Sequence, residues 1–170
     1  HTDTPLWFKN GYSVGLRKDN MVSIPKMEEG KLDAQFLAAF IWQGKRDDAS
    51  SQKAVESTTR LIQSIYDEVE QYKDFCGIAL TEEDLIRLKR EGKKAFFIGI
   101  ENGYAIGKDL KNIAKYKQMG VNYITLCHSY DNDICHSSTH TEDATEGLTR
   151  FGREVVKEMN RLGIMIDVSH

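Results

Sequence analysis

Residues 81–101 read TEEDLIRLKREGKKAFFIGIE, and this stretch decides the fold. Thr81 followed three residues later by Asp84 is a capping-box start, and Leu85, Ile86 and Leu88 give a helix its apolar face. Gly92 can take the left-handed conformation that stops the helix. Ala95 to Ile100 is then a continuous apolar run, as expected of a strand covered on both faces. Glu101 follows at once, a carboxylate at that strand's C-terminal end.

The same pattern recurs twice. From Lys108 to His128, Leu110, Ile113, Ala114 and Met119 mark a helix face, Gly120 stops it, Val121 to Leu126 reads as strand, and His128 lies just beyond. From Thr149 to His170, Val155, Val156, Met159 and Leu162 lie on a helix face; Gly163, a strand from Ile164 to Val168, and His170 follow. Helix and strand alternating in this way imply parallel strands with helical crossovers, hence an α/β fold. Ligands of such sheets and barrels bind at the C-terminal ends of the strands. Glu101, His128 and His170 are therefore expected on one face.

Composition bounds the alternatives. A chain of 170 residues, 40% hydrophobic and 29% charged, suits one globular domain, neither disordered nor membrane-embedded. The expectation is a single domain over 1–170 with no internal boundary, and the presence of only two prolines agrees with it. A net charge of −3 gives no reason to expect nucleic acid or an anionic membrane as partner. No apolar run approaches the roughly 20 residues of a transmembrane segment. Cys76, Cys127 and Cys135 have no paired zinc-type spacing and read as ordinary thiols, although Cys127 and Cys135 flank the expected site and could pair. The chain opens on His1 without a Met and stops on His170 directly after a strand. This reads as a segment of a longer chain, so compartment is left open.

In the remaining segments, His1-Thr2-Asp3 sets an imidazole and a carboxylate on the same side of an extended backbone, where both can grip one cation. Residues 5–30 read as a loop-rich region; Trp7, Phe8, Tyr12 and Met27 either wall a pocket or pack beneath a long loop, the second being expected. The centre of Leu32 to Trp42 reads as strand. A long helix is expected from about Ser51 to Asp74, with Val55, Leu61, Ile62, Ile65 and Val69 buried and Glu56, Arg60, Asp67, Glu68 and Glu70 wet. The longest polar stretch, Cys127 to Gly147, holds His128, His136, His140, Asp131, Asp133, Glu142 and Asp143. Strand-to-helix connections of such length are often functional. For His136 and His140 an incidental place on a surface loop is equally open.

His1, Asp3, Glu101 and His170 thus offer imidazoles and carboxylates, with no thiolate, at presumed strand ends. That mixture suits a catalytic zinc or similar divalent ion better than a structural zinc. A carboxylate such as Glu101 can bridge two ions about 3.5–4 Å apart.

Several segments carry a resemblance, in order along nearly the whole chain: His1-Thr2-Asp3, residues 97–103 (FIGIENG), residues 123–128 (YITLCH) and above all residues 158–170 (EMNRLGIMIDVSH). Together with Ile24-Pro25-Lys26-Met27 and Ala34-Gln35-Phe36, they resemble the renal (membrane) dipeptidase family of zinc peptidases. The resemblance implies a (β/α)8 TIM-type barrel with two zinc ions at its mouth, of which this chain would be about half, truncated at both ends. It further implies that His1 and Asp3 hold the first zinc, Glu101 bridges, His170 holds the second, and His128 contacts substrate. A hydroxide between the ions would attack the peptide carbonyl of a dipeptide while His128 stabilises the oxyanion, which makes Glu101 and His128 the catalytic pair.

The family's remaining histidine on the second zinc, an arginine for the substrate carboxylate and a late aspartate would lie beyond His170, so the 170 residues alone are expected to be inactive. Two departures bear on substrate preference. Glu101-Asn102-Gly103 stands where the family often has Glu-Gly-Gly, and Tyr130 to His136 lacks the Trp of mammalian members. The resemblance also allows a homodimer and an exported or cell-envelope location. An amidohydrolase would instead show a His-x-His pair on its first strand, and a non-catalytic binding protein would have lost ligands.

Overall fold

The computed structural model describes residues 1–16, 20–141 and 147–170; Glu142 and Asp143 of the polar loop lie outside them. The elements, in chain order, are α1 (Ile24–Glu29), β1 (Ala34–Phe40), α2 (Asp48–Gln71), β2 (Cys76–Ile78), α3 (Glu82–Arg90), β3 (Lys94–Glu101), α4 (Lys111–Gln118), β4 (Val121–Thr125), α5 (Arg150–Leu162) and β5 (Met165–Asp167). Short 3-10 turns occupy Thr4–Asn10 and Gly103–Ile106. Among the described residues no helix is long and apolar enough to cross a membrane.

The chain divides into two compact units, residues 1–39 with 60–99 and residues 40–59 with 100–170. The cuts fall inside β1, α2 and β3, with no linker at any of them. In the first unit β3 has β1 and β2 as hydrogen-bonded neighbours, and β2 pairs with it in parallel, Cys76 opposite Lys94. Thr2 adds a parallel bridge to Leu37. In the second unit β4 and β5 pair in parallel, Tyr123 opposite Met165. Parallel strands joined by helices make this an α/β fold, as the periodicity requires.

The deciding stretch folds as its residues dictate. The Thr81 hydroxyl accepts the Asp84 N–H at 3.3 Å while the Asp84 carboxylate accepts the Thr81 N–H at 3.3 Å, a reciprocal capping box that satisfies two otherwise open donors. Gly92 sits at φ 73°, just past the helix end, where a side chain would be strained. In β3, Phe96, Ile98 and Ile100 are fully buried and Ala95 nearly so, the burial on both faces that a continuous apolar run needs. α5 is capped by Thr149, whose hydroxyl accepts the Gly152 N–H at 2.9 Å, and it buries Val155 and Met159.

Three expectations need correction. α4 is shorter than its apolar pattern suggests: Leu110 and Met119 stand at its caps, because the Asp109 carboxylate takes the Lys111 N–H at 2.9 Å and the chain breaks at Gly120. Its core face is Ile113 with Tyr116, whose hydroxyl donates to Ala105 O at 2.6 Å. Glu68 is not on a wet face. It is buried and accepts the Val14 N–H at 2.8 Å and the Ser13 hydroxyl at 2.5 Å, so the early loop recruits it as an acceptor. Met27 does pack inward, but Trp7 and Tyr12 line a cavity of about 340 Å³ together with Thr2, Asp3, Asn20 and Met21.

Candidate metal centre

β3 delivers Glu101 at its C-terminal end, in the second unit and 3% exposed. His128 follows β4 and His170 follows β5. The Nε2 atoms of both rings point at one carboxylate oxygen: Glu101 Oε1 is 3.1 Å from His170 and 3.7 Å from His128. The two rings lie 4.1 Å apart between centroids. Three of the five residues expected at the site are thus brought together. One donor atom from each lies within 4.8 Å of the other two. Imidazole nitrogen with carboxylate oxygen is the donor set that zinc and similar borderline divalent ions take, so the residues fit such an ion.

His1 and Asp3 belong to the first unit. His1 Nε2 stands 3.6 Å from Asp3 Oδ1, the pairing that the i, i+2 spacing predicts. Asp3 Oδ1 is enclosed and takes no hydrogen bond among the described residues. An enclosed carboxylate oxygen without a donor is costly unless a cation meets it.

The residues around Glu101 fix its setting. Asn102 is fully buried at φ 82°. Its amide donates to Ile41 O at 3.1 Å, and its carbonyl accepts the Tyr104 N–H at 3.1 Å, which starts the 3-10 turn. Asn is the non-glycine residue best suited to such a backbone, which accounts for its standing where the family often has Gly. On the β5 side, Asp167 accepts the hydroxyl of the fully buried Thr125 at 2.6 Å and both the N–H and hydroxyl of Ser169 at 3.0 and 2.7 Å. Burial works to raise the Asp167 carboxyl; the hydrogen bonds from Thr125 and Ser169 outweigh it and hold it below the usual carboxylate range. Asp167 therefore braces the backbone turn leading to His170.

Sequence reading missed the aromatic wall beside His128. The Phe40 ring lies 4.9 Å and the Trp42 ring 6.5 Å from the imidazole, with Phe40 and Trp42 edge to face at 4.8 Å. Trp42 is 70% exposed. An apolar residue just past a strand's C-terminal end was the available signal, since that is the rim where ligands sit.

In the polar loop His136 and His140 are half-buried and share one carboxylate. Asp131 Oδ2 accepts from Nδ1 of both His136 and His140, at 2.8 and 2.5 Å, and Asp131 Oδ1 accepts the Ser137 N–H at 2.8 Å. Burial pushes the Asp131 carboxyl up, but the bonds from His136, Ser137 and His140 together bring it down to about 2. Cys127 and Cys135 are buried free thiols. A hydrogen bond from Cys135 lowers the Cys127 thiol, and the same contact with burial raises Cys135.

The model of a family described as membrane dipeptidase (peptidase family M19) matches residues 1–170. "Dipeptidase 3" of Rattus norvegicus is 30% identical over 183 aligned residues, covering 100% of this chain and 36% of its own length. "Dipeptidase verJ" of Clonostachys rogersoniana is 29% identical, covering 100% of this chain and 47% of its own. Among solved structures, the "probable dipeptidase PvdM" of Pseudomonas aeruginosa superimposes with a TM-score of 0.83 at 28% identity, over 95% of this chain and 43% of that one. The chain therefore spans under half the length of these relatives, and its fold is part of their α/β barrel type.

Proposed function

Because the chain belongs to the membrane dipeptidase family, we propose that the protein carrying it hydrolyses dipeptides at a centre of two divalent ions, zinc by preference. The observation that carries this reading is the convergence of Glu101, His128 and His170 donors on one point. Glu101 and His170 would hold one ion. His1 and Asp3 are assigned to the other, on the His-x-Asp motif and the enclosed Asp3 oxygen.

Bound ions would supply Lewis-acid polarisation of the peptide carbonyl and a water of lowered pKa. The chain's own residues do the rest. Ser129 Oγ lies 3.1 Å from His128 Nδ1. A hydroxyl proton given to Nδ1 leaves the ring proton on Nε2, where it can be donated to a carbonyl oxygen as negative charge develops. Phe40 and Trp42 offer an apolar wall next to that donor, able to seat a substrate side chain and keep water from it. Glu101, held at the strand end by its neighbour Asn102, presents its carboxylate from a rigid element.

The test is hydrolysis of a dipeptide panel by the full-length protein, with metal content measured in parallel. Glu101→Gln should lose metal and at least about 10³-fold in kcat/KM. His128→Ala should keep its metal and lose kcat, since that ring is assigned to the substrate. Undiminished hydrolysis by metal-free protein would overturn the reading.

A further inference from the structure

We propose that Asp131, His136 and His140 form a further divalent-cation site, built from donors other than those of the Glu101 centre, that pins the loop following His128. The donor atoms already converge. Nδ1 of His136 and Nδ1 of His140 meet the single oxygen Asp131 Oδ2, and one donor atom per residue lies within 4.8 Å of the others. The two rings are close, with centroids 3.9 Å apart and planes tilted by 38°. Two imidazolium rings would repel in that position; two neutral rings sharing one cation would not.

The carboxylate is held for the purpose. Its other oxygen is fixed by the Ser137 N–H, which leaves Oδ2 aimed at the rings. Donor atoms around a tetrahedral ion with bonds of about 2.0–2.1 Å lie roughly 3.3 Å apart, so moving the ring nitrogens outward by about 0.5 Å for His136 and about 0.8 Å for His140 admits the ion. Each Nδ1 that donates to Asp131 must give up its proton to bind an ion, so that proton moves to Nε2 or is released. Beside the three donors is a cavity of about 500 Å³ that Tyr130, Thr139 and Thr141 also line, leaving room for water ligands to complete the coordination.

Two further observations agree. His136 and His140 have the x3 spacing common for histidine pairs in zinc sites, and two imidazoles with one carboxylate favour zinc, cobalt or nickel over calcium or magnesium. The cluster is also latched to the residue next to His128: Thr139 donates its hydroxyl to Ser129 O at 2.5 Å, and Ser137 and Thr139 hydroxyls pair at 2.8 Å. An ion held here would fix the far side of the loop that presents His128.

The experiment uses the full-length protein, stripped of metal and titrated with Co²⁺ and then Zn²⁺, with absorption spectra and elemental analysis after dialysis. It compares wild type, the His136→Ala/His140→Ala pair, Asp131→Asn, and Glu101→Gln/His170→Ala. The expected result is that the 136/140 pair lacks one ion per chain and its Co²⁺ spectral component, while the 101/170 pair retains both. Asp131→Asn keeps one acceptor oxygen for the Ser137 N–H while replacing Oδ2 with an amide nitrogen, and should bind that ion about 100-fold more weakly with both histidines still present, which separates ion loss from misfolding of the double variant. Equal metal content and an unchanged Co²⁺ titration in the 136/140 pair would overturn the proposal. Failure of the dipeptidase reading would show instead in the 101/170 pair.

Discussion

Replacing Asn102 by glycine and by alanine separates the two things that residue does. Its side chain is fully buried; its amide donates to Ile41 O at 3.1 Å and to Gln43 Oε1 at 3.4 Å, and its carbonyl accepts the Tyr104 N–H at 3.1 Å. Its backbone sits at φ 82° and ψ 102°. Glycine accepts that backbone freely but abandons all three bonds, leaving the half-buried Ile41 carbonyl and the buried Tyr104 N–H unmet, so Asn102→Gly should cost about 1–3 kcal/mol. Alanine abandons the same bonds and also carries a Cβ into the left-handed region without Asn's local compensation, adding about 1–2 kcal/mol. The order wild type, then Gly, then Ala should appear as falling urea midpoints of the full-length protein at unchanged m. Metal affinity should fall in the same order, because Glu101 is the adjoining residue. If alanine matched glycine, backbone conformation would contribute nothing at this position. If both stayed within about 0.5 kcal/mol of wild type, the buried bonds would be dispensable and the account of this departure would be wrong.

Other perturbations test other parts of the structure. Gly152→Ala should destabilise by about 2 kcal/mol or more in urea unfolding, despite the roughly 1 kcal/mol propensity gain of alanine, because a Cβ there would stand 2.0 Å from Ile134 O; a stabilised variant would contradict the contact. Thr125→Val keeps shape but removes the donor to Asp167, and should cost about 1–3 kcal/mol while raising the Asp167 carboxyl towards its ordinary value, readable by carboxyl NMR. The Asp84 carboxyl is lowered first by the Leu80 N–H and then by Arg87, so its contribution is present above about pH 4 and is lost as pH falls through its folded value. Asp84→Asn should accordingly flatten the stability profile between about pH 5 and 3, and an unaltered slope would refute the assignment. Burial raises the Cys76 thiol to about 12, so native protein at pH 8 should resist alkylation there until unfolded.

Much of this was legible because it is local. The capping box at Thr81, the helix-stopping glycines and the apolar run before Glu101 are decided within a few residues of one another, and the structure realises each of them. Strand ends follow from those runs, so Glu101, His128 and His170 could be set at one level before any coordinates. What escaped depends on partners far along the chain. Glu68 looks like one more charge on a helix face until Ser13 and Val14 claim it, 55 and 54 residues away. Cys76–Ile78 is too short a strand to show a period of its own. Phe40 and Trp42 come from a segment about 90 residues before His128, and no pattern within either segment announces their meeting.

The polar loop after β4 shows why a long connection can still carry precise chemistry. Asn132, nearly fully buried, spends its whole side chain on the loop: its amide donates to Leu126 O at 2.8 Å and its carbonyl accepts the N–H groups of Ile134 and Cys135 at 2.8 and 3.1 Å. Ile134, itself buried, is then gripped from two sides by residues that have no Cβ. A Cβ on Gly152 would collide with its backbone, and one on Gly103 would come within 2.7 Å of its side chain and 2.5 Å of Leu126 O. Glycine at both places lets α5 and the turn after Glu101 close directly onto the loop. His128 and Asp131 precede this clamp, and His136 and His140 follow it. A connection fixed at its middle by backbone contact presents donors at both ends without the entropy cost that an unanchored loop of this length would incur on binding.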